Sequence, residues 1–249
     1  MVQVSILQIP GLLTKYPRRL YVYLPKDYKK TETRYAVLYM FDGQNVFYDS
    51  HATYGKSWGM KVFLDKAKLP LLVVTVESNP EGNRRLNEYT PWSYTRREVG
   101  RIEAQGAVTM DWFARTLKPE IDRTYRTLPD REHTLIAGSS MGGLMAIYAA
   151  VEYNDVFSRA ASLSPSLWVA PTKMKALIRA RRLTSPTRIY MDMGSGEAAE
   201  HRQLMTGLFD TARELTRSGA EVAARVVPGA MHNEAAWEKR VPLFMDYLQ

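Results

Sequence analysis

The fold is decided by Thr134-Leu135-Ile136-Ala137-Gly138-Ser139-Ser140-Met141-Gly142-Gly143-Leu144-Met145-Ala146-Ile147. This segment places the pattern G-x-S-x-G between a strand-forming run and a helix-forming run, which is the context of a nucleophile elbow. Gly138 and Gly142 carry no side chain that would collide as the helix packs against the strand. Ser140 is therefore the candidate nucleophile on a sharp strand-to-helix turn, and the alternative is a chance Gly/Ser-rich turn.

Apolar runs of strand length alternate with longer segments of helical periodicity on both sides of this turn, as is typical of βαβ units in a mainly parallel sheet. A short polar, Gly-containing segment separates the first two strands, so we expect an antiparallel hairpin at one edge of the sheet. The eight predicted strands are residues 4–9, 20–24, 35–41, 71–77, 134–138, 159–163, 188–193 and 221–227.

The helical segments carry apolar residues on one face, which predicts that they pack on the sheet. The architecture expected is the α/β-hydrolase fold: a mostly parallel eight-stranded sheet with helices on both faces, in a single domain over residues 1–249. Residues 78–100 form the longest irregular segment, either a functional loop or an ordered surface loop. The predicted helices are residues 57–66, 104–117, 140–152, 172–182, 200–218 and 234–247.

A nucleophilic serine requires a base, and in this fold the chain order is serine, then acid, then histidine. Of the four histidines, His51 and His133 precede Ser140, and His201 falls in a predicted helix. His232 follows the last predicted strand and precedes the last predicted helix, where the base is expected. His232 is the candidate general base, although a lone histidine is more often structural.

Two carboxyl groups compete for the role of the acid after the strand at 188–193. Asp192 lies within the predicted strand, whereas Glu197 lies on the turn Gly194-Ser195-Gly196-Glu197 beyond it. The turn position is better suited to reach an imidazole at the carboxyl edge of the sheet. Glu197 is favoured and Asp192 remains the alternative, while either residue is also compatible with a helix-cap or surface charge.

An oxyanion hole needs two main-chain N–H groups directed at the reacting oxygen, one from the residue after the nucleophile, here Met141. The second is expected from the turn after the third strand, Asp42-Gly43-Gln44-Asn45, with the N–H of Gln44 as the candidate. An ordinary Asp-Gly turn is the alternative.

Substrate contacts are less well defined by the sequence. Aromatic side chains in loops, Trp92, Tyr94 and Trp168, are candidates for an apolar or aromatic acyl pocket, or else packing anchors. Basic side chains at Arg84 or Arg85 are suited to an anionic group on the substrate. The candidate substrate-binding set is Asp42, Arg84, Arg85, Trp92 and Trp168.

Composition excludes several classes of protein. The 249 residues include no cysteine, so disulfides, thiolate metal sites and a cysteine nucleophile are excluded. The net charge of +8 comes from dispersed basic pairs such as Arg18-Arg19, without the pattern of a nucleic-acid module. No apolar run approaches a membrane span and the N-terminus does not read as a secretion signal. A cytoplasmic protein without nucleic-acid or membrane partners, metal or cofactor is expected, and its oligomeric state is undetermined.

Four segments together resemble the esterase D-like "putative esterase" family of α/β-hydrolases, and the similarity spans nearly the whole chain. One of these four, Ser164-Pro165-Ser166-Leu167-Trp168, and one additional segment, Arg85-Leu86-Asn87-Glu88-Tyr89-Thr90-Pro91, look most like its siderophore-esterase-like branch. The segments that carry the family resemblance are residues 39–45, 138–143, 164–168 and the surroundings of His232.

The resemblance implies a triad of Ser140, Glu197 and His232, because the family's acid lies three residues after a strand-end glycine, here Gly194. It also implies a carboxylesterase that forms an acyl-enzyme on the serine and acts on a small-molecule ester, such as a siderophore-type or aromatic acyl ester. The alternatives are an acyltransferase with an acceptor other than water and a non-catalytic binding protein of the same fold.

Overall fold

The sheet of the computed structural model contains eight strands within the part of the chain that the structure describes, residues 1–7, 17–200 and 202–249. In chain order these strands are β1 (Val2–Leu7), β2 (Arg18–Tyr23), β3 (Ala36–Met40), β4 (Leu71–Val76), β7 (Thr134–Ser139), β8 (Arg159–Leu163), β9 (Arg188–Gly194) and β10 (Glu221–Val227). A separate hairpin pairs β5 (Tyr94–Arg96) with β6 (Gly100–Ile102).

The spatial order of the strands is β1-β2-β4-β3-β7-β8-β9-β10. Strands β3, β4 and β7 to β10 are parallel, while β2 is antiparallel to both β1 and β4. The predicted mostly parallel sheet with an antiparallel hairpin at its N-terminal edge is therefore confirmed. Of the first predicted strand, residues 8 and 9 lie outside the described residues.

Helices cover both faces of the sheet because each has one apolar face to bury. One core layer buries Leu64 of α1 and Val241 of α9, and the other buries Met110 of α3, Leu144 of α5 and Leu208 of α8. The helices are α1 (Met60–Ala67), α2 (Arg84–Glu88), α3 (Gly106–Trp112), α4 (Lys118–Thr124), α5 (Met141–Glu152), α6 (Pro171–Arg179), α7 (Ser195–Glu200), α8 (Arg202–Arg217) and α9 (Glu234–Leu248).

The helix predicted at residues 104–117 has different limits. Helix α3 is followed by a π-helical segment, Phe113–Leu117, and then by α4, so helical backbone runs from 106 to 124. Pro119 lies in the first turn of α4, where its missing N–H costs little. The predicted helix end at residue 117 is therefore too early.

Other boundaries also differ from the prediction. Helix α1 begins at Met60 because Gly59 has a left-handed backbone conformation, with φ of 60°. The helix predicted at 200–218 corresponds to α8, and Glu200 is the last residue of the preceding helix α7, while His201 lies outside the described residues. The segment at 78–100 is not irregular throughout, since it contains α2 and β5.

A buried ion pair fixes this segment to the sheet. Arg18 of β2 donates to the carboxylate of Glu88 at the end of α2, and the main-chain N–H of Asn79 donates to the same carboxylate at 3.0 Å. Arg85 and Tyr89 of the same segment consequently reach the carboxyl edge of the parallel strands, where the loops after β3, β7, β9 and β10 meet.

Candidate active site

Ser140 occupies the turn between β7 and α5 in a backbone conformation that residues other than glycine rarely adopt, with φ of 55° and ψ of −119°. A Cβ atom added at Gly138 would lie 2.6 Å from the main chain of Gly142, and one at Gly142 would lie 3.0 Å from Cβ of Phe41. The two glycines therefore permit the close approach of helix and strand that holds Ser140 in this strained turn.

The Ser140 hydroxyl opens into a cleft of about 410 Å³ at the carboxyl edge of the sheet. Its Oγ lies 3.4 Å from Oγ of Ser166, and His232 lines the same cleft. Among the described residues no hydrogen bond joins Ser140 to His232. In ligand-free enzymes such bonds are often long and shorten when substrate binds. The cleft is lined by Asp42, Gln44, Asn45, Thr53, Tyr54, Arg85, Ser139, Ser140, His232, Asn233, Glu234 and Trp237.

The structure brings His232 and Glu197 together, with Nδ1 2.7 Å from Oε2. His232 lies on the loop after β10, and Glu197, predicted on a turn, lies in the first turn of α7 directly after the neighbouring parallel strand β9, so both leave the sheet at the same edge. The two segments are also joined to each other, because the N–H of Gly196 donates to the carbonyl of Ala230 at 3.1 Å. The imidazole is thus held by the sheet topology and by its carboxylate partner.

The Glu197 carboxylate is nearly enclosed, with 4% of its side chain exposed. Oε1 accepts hydrogen bonds from Ser164 Oγ at 2.7 Å and from the Gly194 N–H at 2.9 Å. Burial alone would raise the pKa of Glu197, but the hydrogen bonds from His232, Ser164 and Gly194 lower it to about 2. Glu197 is therefore ionised at neutral pH and accepts a hydrogen bond from the Nδ1–H of His232, which leaves Nε2 of the neutral imidazole as the unprotonated nitrogen.

Asp192, the alternative acid, makes other contacts. Its carboxylate is fully buried and accepts from Arg240 Nη1 at 2.9 Å and from the Tyr190 hydroxyl at 2.8 Å. Burial raises the pKa of Asp192, an effect that the Arg240 guanidinium opposes. Within the described part of the chain no hydrogen bond joins Asp192 to His232, and the carboxylate that pairs with the imidazole is that of Glu197.

The turn expected to supply the second oxyanion donor follows β3 and lies in the same cleft. Asp42 has a left-handed conformation, with φ of 56°, and Gly43 begins a short 3₁₀ turn. The Gln44 side chain is fixed by Ser78, since Nε2 donates to Oγ at 3.0 Å and Oε1 accepts from the N–H at 3.1 Å. Within the described residues no acceptor is found for the main-chain N–H of Gln44 or Met141, so both remain available to a ligand.

Asp42 and Arg85 line the cleft as a pair. Arg85 binds Asp42 through two parallel hydrogen bonds of 2.6 Å each, from Nε and Nη2. The Asp42 carboxylate thus compensates the charge that was expected to attract an anionic substrate group. Arg84 is an exposed residue that pairs with Glu81 at 2.8 Å, and it does not belong to the described lining of the cleft.

The candidate aromatic residues also lie outside the described lining of the cleft. Trp92 packs edge-on against Tyr148 of α5, with ring centroids 6.0 Å apart. Trp168 is 39% exposed, contacts Tyr94 edge-on at 5.6 Å and stacks under the guanidinium of Arg96 at 4.5 Å. Substrate contact by Trp92 or Trp168 stays a prediction.

Comparison with protein families decides the identity. A family model described as "Putative esterase" matches residues 13–246, which is most of the chain. The chain belongs to this esterase family. It is a carboxylic ester hydrolase, and the family resemblance predicted from the sequence is confirmed. The esterase is 22% identical over 241 residues to the uncharacterized protein YbbA of Bacillus subtilis (strain 168), covering 93% of this chain and 92% of that protein.

Solved structures share the fold of the esterase. An IroE-like serine hydrolase from Shewanella oneidensis superposes with a TM-score of 0.79 at 19% identity, over 100% of this chain and 79% of that one. The siderophore hydrolase EstA from Aspergillus nidulans superposes with a TM-score of 0.74 at 17% identity, over 99% of this chain and 95% of that one. The enterobactin esterase FES from Shigella flexneri superposes with a TM-score of 0.70 at 19% identity, over 100% of this chain and 58% of that one. The predicted α/β-hydrolase fold is thereby confirmed.

Sequence reasoning did not identify the residues that surround the Glu197–His232 pair in the esterase. Arg240 of α9 is 1% exposed, donates to Glu197 Oε1 at 3.1 Å and to the carbonyl of Met231 at 3.0 Å. Its signal in the sequence is an arginine on the apolar face of the last helix, beside Val241. A guanidinium group on the buried face of a helix indicates that it pairs with a buried group of opposite charge.

Two further structural results concern membrane-spanning helices and metal sites, neither of which the sequence predicts. None of the described helices has the length and apolarity needed to cross a bilayer. The described histidine, aspartate and glutamate side chains form no cluster of three with the arrangement of a metal site.

Proposed function

We propose that the esterase uses Ser140 as nucleophile, His232 as general base and Glu197 as the acid that orients and stabilises the imidazole. The observation that carries the proposal is the 2.7 Å contact between His232 Nδ1 and Glu197 Oε2 in the cleft that holds the strained Ser140 turn. The arrangement supports a serine–histidine–carboxylate mechanism because each group has the partner that its role requires.

In the acylation step, His232 Nε2 takes the hydroxyl proton while Ser140 Oγ forms a bond to the ester carbonyl carbon. The carbonyl electron pair moves to oxygen, and the oxyanion accepts hydrogen bonds from the N–H groups of Met141 and Gln44. Collapse of the tetrahedral intermediate breaks the bond to the alcohol oxygen, which leaves with the proton from His232. Glu197 stabilises the imidazolium between these transfers.

Deacylation repeats the same steps with water in place of the serine. A water molecule gives a proton to His232 as its oxygen bonds to the acyl carbon, and the second intermediate releases the carboxylic acid. The proton returns from His232 to Ser140 Oγ. No metal or organic cofactor takes part in these steps.

We infer that the substrate is a small polar ester. The cleft is lined by carboxylate, amide, hydroxyl and guanidinium groups, and two aromatic residues, Tyr54 and Trp237. Such a lining favours a short acyl group over a long aliphatic chain, which would lie against unpaired polar groups. The siderophore-type and aromatic acyl esters remain candidates, and the cytoplasmic location stays a prediction.

The test is hydrolysis of p-nitrophenyl esters from acetate to decanoate by wild type, Ser140→Ala and Ser166→Ala. Ser166 is the matched control, since its hydroxyl lies 3.4 Å from that of Ser140 in the same site. Ser140→Ala is expected to lose three or more orders of magnitude in kcat, Ser166→Ala far less, and activity is expected to fall beyond short acyl chains.

A fluorophosphonate probe gives a second measurement that does not depend on the ester chosen. It is expected to label Ser140 in wild type and not in Ser140→Ala. Equal hydrolysis by wild type and Ser140→Ala, or absence of labelling of the folded wild type, would contradict the serine mechanism. Faster release of p-nitrophenol on addition of an alcohol, with an ester as product, would indicate acyl transfer to acceptors other than water.

A further inference from the structure

A second carboxyl group lies in the cleft beside the proposed catalytic residues. Glu234 is two residues after His232, at the first position of α9, and only 6% of it is exposed. Its remaining accessible surface lines the cleft that contains Ser140. The proposed acyl-transfer mechanism gives this carboxyl group no role.

The described structure leaves acceptor capacity on Glu234. Oε1 accepts from Asn45 Nδ2 at 3.2 Å, and Asn45 is itself oriented because its Oδ1 accepts from the Thr53 N–H at 2.9 Å. The carboxylate also faces its own main-chain N–H. A carboxylate has about four acceptor positions, so these two donors leave positions directed at the cleft.

The charges around Glu234 select the kind of group that fits those positions. Burial and the nearby Asp42 carboxylate raise the pKa of Glu234, while Arg85 and His232 oppose this effect. Arg85 is held by Asp42 through two hydrogen bonds, and no cationic side chain among the described residues forms an ion pair with Glu234. An anionic group on the substrate would be repelled, whereas a hydrogen-bond donor would satisfy the buried carboxylate.

We propose that Glu234 is a specificity-determining residue that accepts a hydrogen bond from a hydroxyl group on the ester, close to the scissile bond. The inference rests on the proposed function, because it places the hydroxyl in the cleft with the Ser140 acyl-transfer site. A hydroxylated ester pairs with the Glu234 carboxylate, and an ester without the hydroxyl leaves that buried acceptor unsatisfied.

The experiment uses Glu234→Gln with Glu238→Gln as its matched control. The amide at position 234 keeps the size of the side chain and an oxygen for Asn45, but replaces the second acceptor with a donor. Glu238 lies one turn further along α9, where its side chain is 40% exposed and pairs with Lys56 at 2.7 Å. Both variants remove one negative charge from the same helix.

Two pairs of esters separate the acyl side from the alcohol side. The first pair is p-nitrophenyl butyrate and p-nitrophenyl 3-hydroxybutyrate, and the second is ethyl butyrate and 2-hydroxyethyl butyrate. We expect wild type and Glu238→Gln to prefer the hydroxylated member of at least one pair. In Glu234→Gln this preference, measured as a ratio of kcat/KM values, is expected to fall about tenfold or more, as befits a lost hydrogen bond to a charged group.

An unchanged ratio of kcat/KM values in Glu234→Gln would overturn the proposal. If both members of each pair lose activity equally, Glu234 has a structural role. A stronger preference for 2-(dimethylamino)ethyl butyrate, whose protonated amine is also a donor, would assign the site to a cation and overturn the choice of a hydroxyl. If the folded wild type hydrolyses none of these esters, the proposed function fails and the inference fails with it. Normal hydrolysis without discrimination contradicts the inference alone.

Discussion

Arg240 and Asp192 form an ion pair that is closed off from solvent, with Nη1 2.9 Å from Oδ1 and side chains 1% and 0% exposed. Nη2 of the same guanidinium contacts Glu197 at 3.1 Å, so one arginine links the carboxylate of Asp192 in β9 to that of Glu197 in α7. A buried charge is tolerated only with partners, which makes each member of this group depend on the others.

Arg240→Met is therefore expected to destabilise the esterase strongly, by roughly 3–5 kcal/mol, because it leaves the Asp192 carboxylate buried without its cation. Adding Asp192→Asn to Arg240→Met should recover part of this loss. Urea denaturation of the two single variants and the double variant measures the coupling between the residues. Additive losses in the double variant would show that the pair is not coupled.

Catalysis is expected to depend on Glu197 far more than on Asp192, because only Glu197 contacts His232. Glu197→Ala should lower kcat on a p-nitrophenyl ester by about three to four orders of magnitude, as loss of a triad acid does elsewhere. Asp192→Asn keeps the shape of the side chain and should cost much less. A larger loss in folded Asp192→Asn than in Glu197→Ala would make Asp192 the acid.

The layered sheet and the Ser140 turn could be predicted from the sequence because they rest on local patterns, alternation of apolar runs and a G-x-S-x-G between strand and helix. The choice between Asp192 and Glu197 could not be fixed from the residues alone, since one lies near the end of β9, the other just beyond it, and the direction of their side chains decides between them. That direction depends on Arg240, which is 48 residues from Asp192 in the chain.

The residues around the candidate site were harder to predict for the same reason. Glu234 reads as an ordinary charge at the start of a terminal helix, and its burial becomes visible only when α9 is packed on the sheet. Arg240 is marked in the sequence only by its position on the apolar face of that helix. The continuation of helical structure beyond residue 117 was missed because a proline in a first turn and a proline that ends a helix look alike in sequence.

The stability of the esterase should depend on pH through Glu197. Its pKa is about 2 in the folded protein and 4.5 for the free side chain, so its contribution is complete above pH 4.5 and is lost as the pH falls toward 2. The difference corresponds to about 3.5 kcal/mol at most, at about 1.4 kcal/mol per unit of pKa. Glu197→Gln lacks this contribution at every pH.

The free-energy difference between wild type and Glu197→Gln should consequently shrink between pH 5 and pH 3 in denaturant titrations. The comparison isolates Glu197, because Asp192, whose pKa is raised, affects stability in the opposite sense and is present in both proteins. A difference that stays constant over this range would show that the carboxylate of Glu197 is not stabilised in its ionised form.

Two Gly→Ala substitutions should have opposite effects, which tests the close packing behind Ser140. The new methyl group at Gly138 would lie 2.6 Å from the main chain of Gly142, so the turn must shift. Gly138→Ala is expected to destabilise the protein by roughly 1–3 kcal/mol and to reduce esterase activity with it. A Cβ atom added at Gly207, inside α8, would lie 3.8 Å from Cβ of Leu167, which is an ordinary van der Waals distance.

Gly207→Ala should therefore stabilise the protein by about 0.5–1 kcal/mol and leave kcat unchanged, because alanine restricts the unfolded chain and favours helix. Thermal and urea denaturation measure the stability of both variants, and a p-nitrophenyl ester assay measures activity. A Gly138→Ala protein with wild-type stability and activity would mean that the main chains of Gly138 and Gly142 can separate freely. The strained backbone of Ser140 would then have to be maintained by contacts other than this pair of glycines.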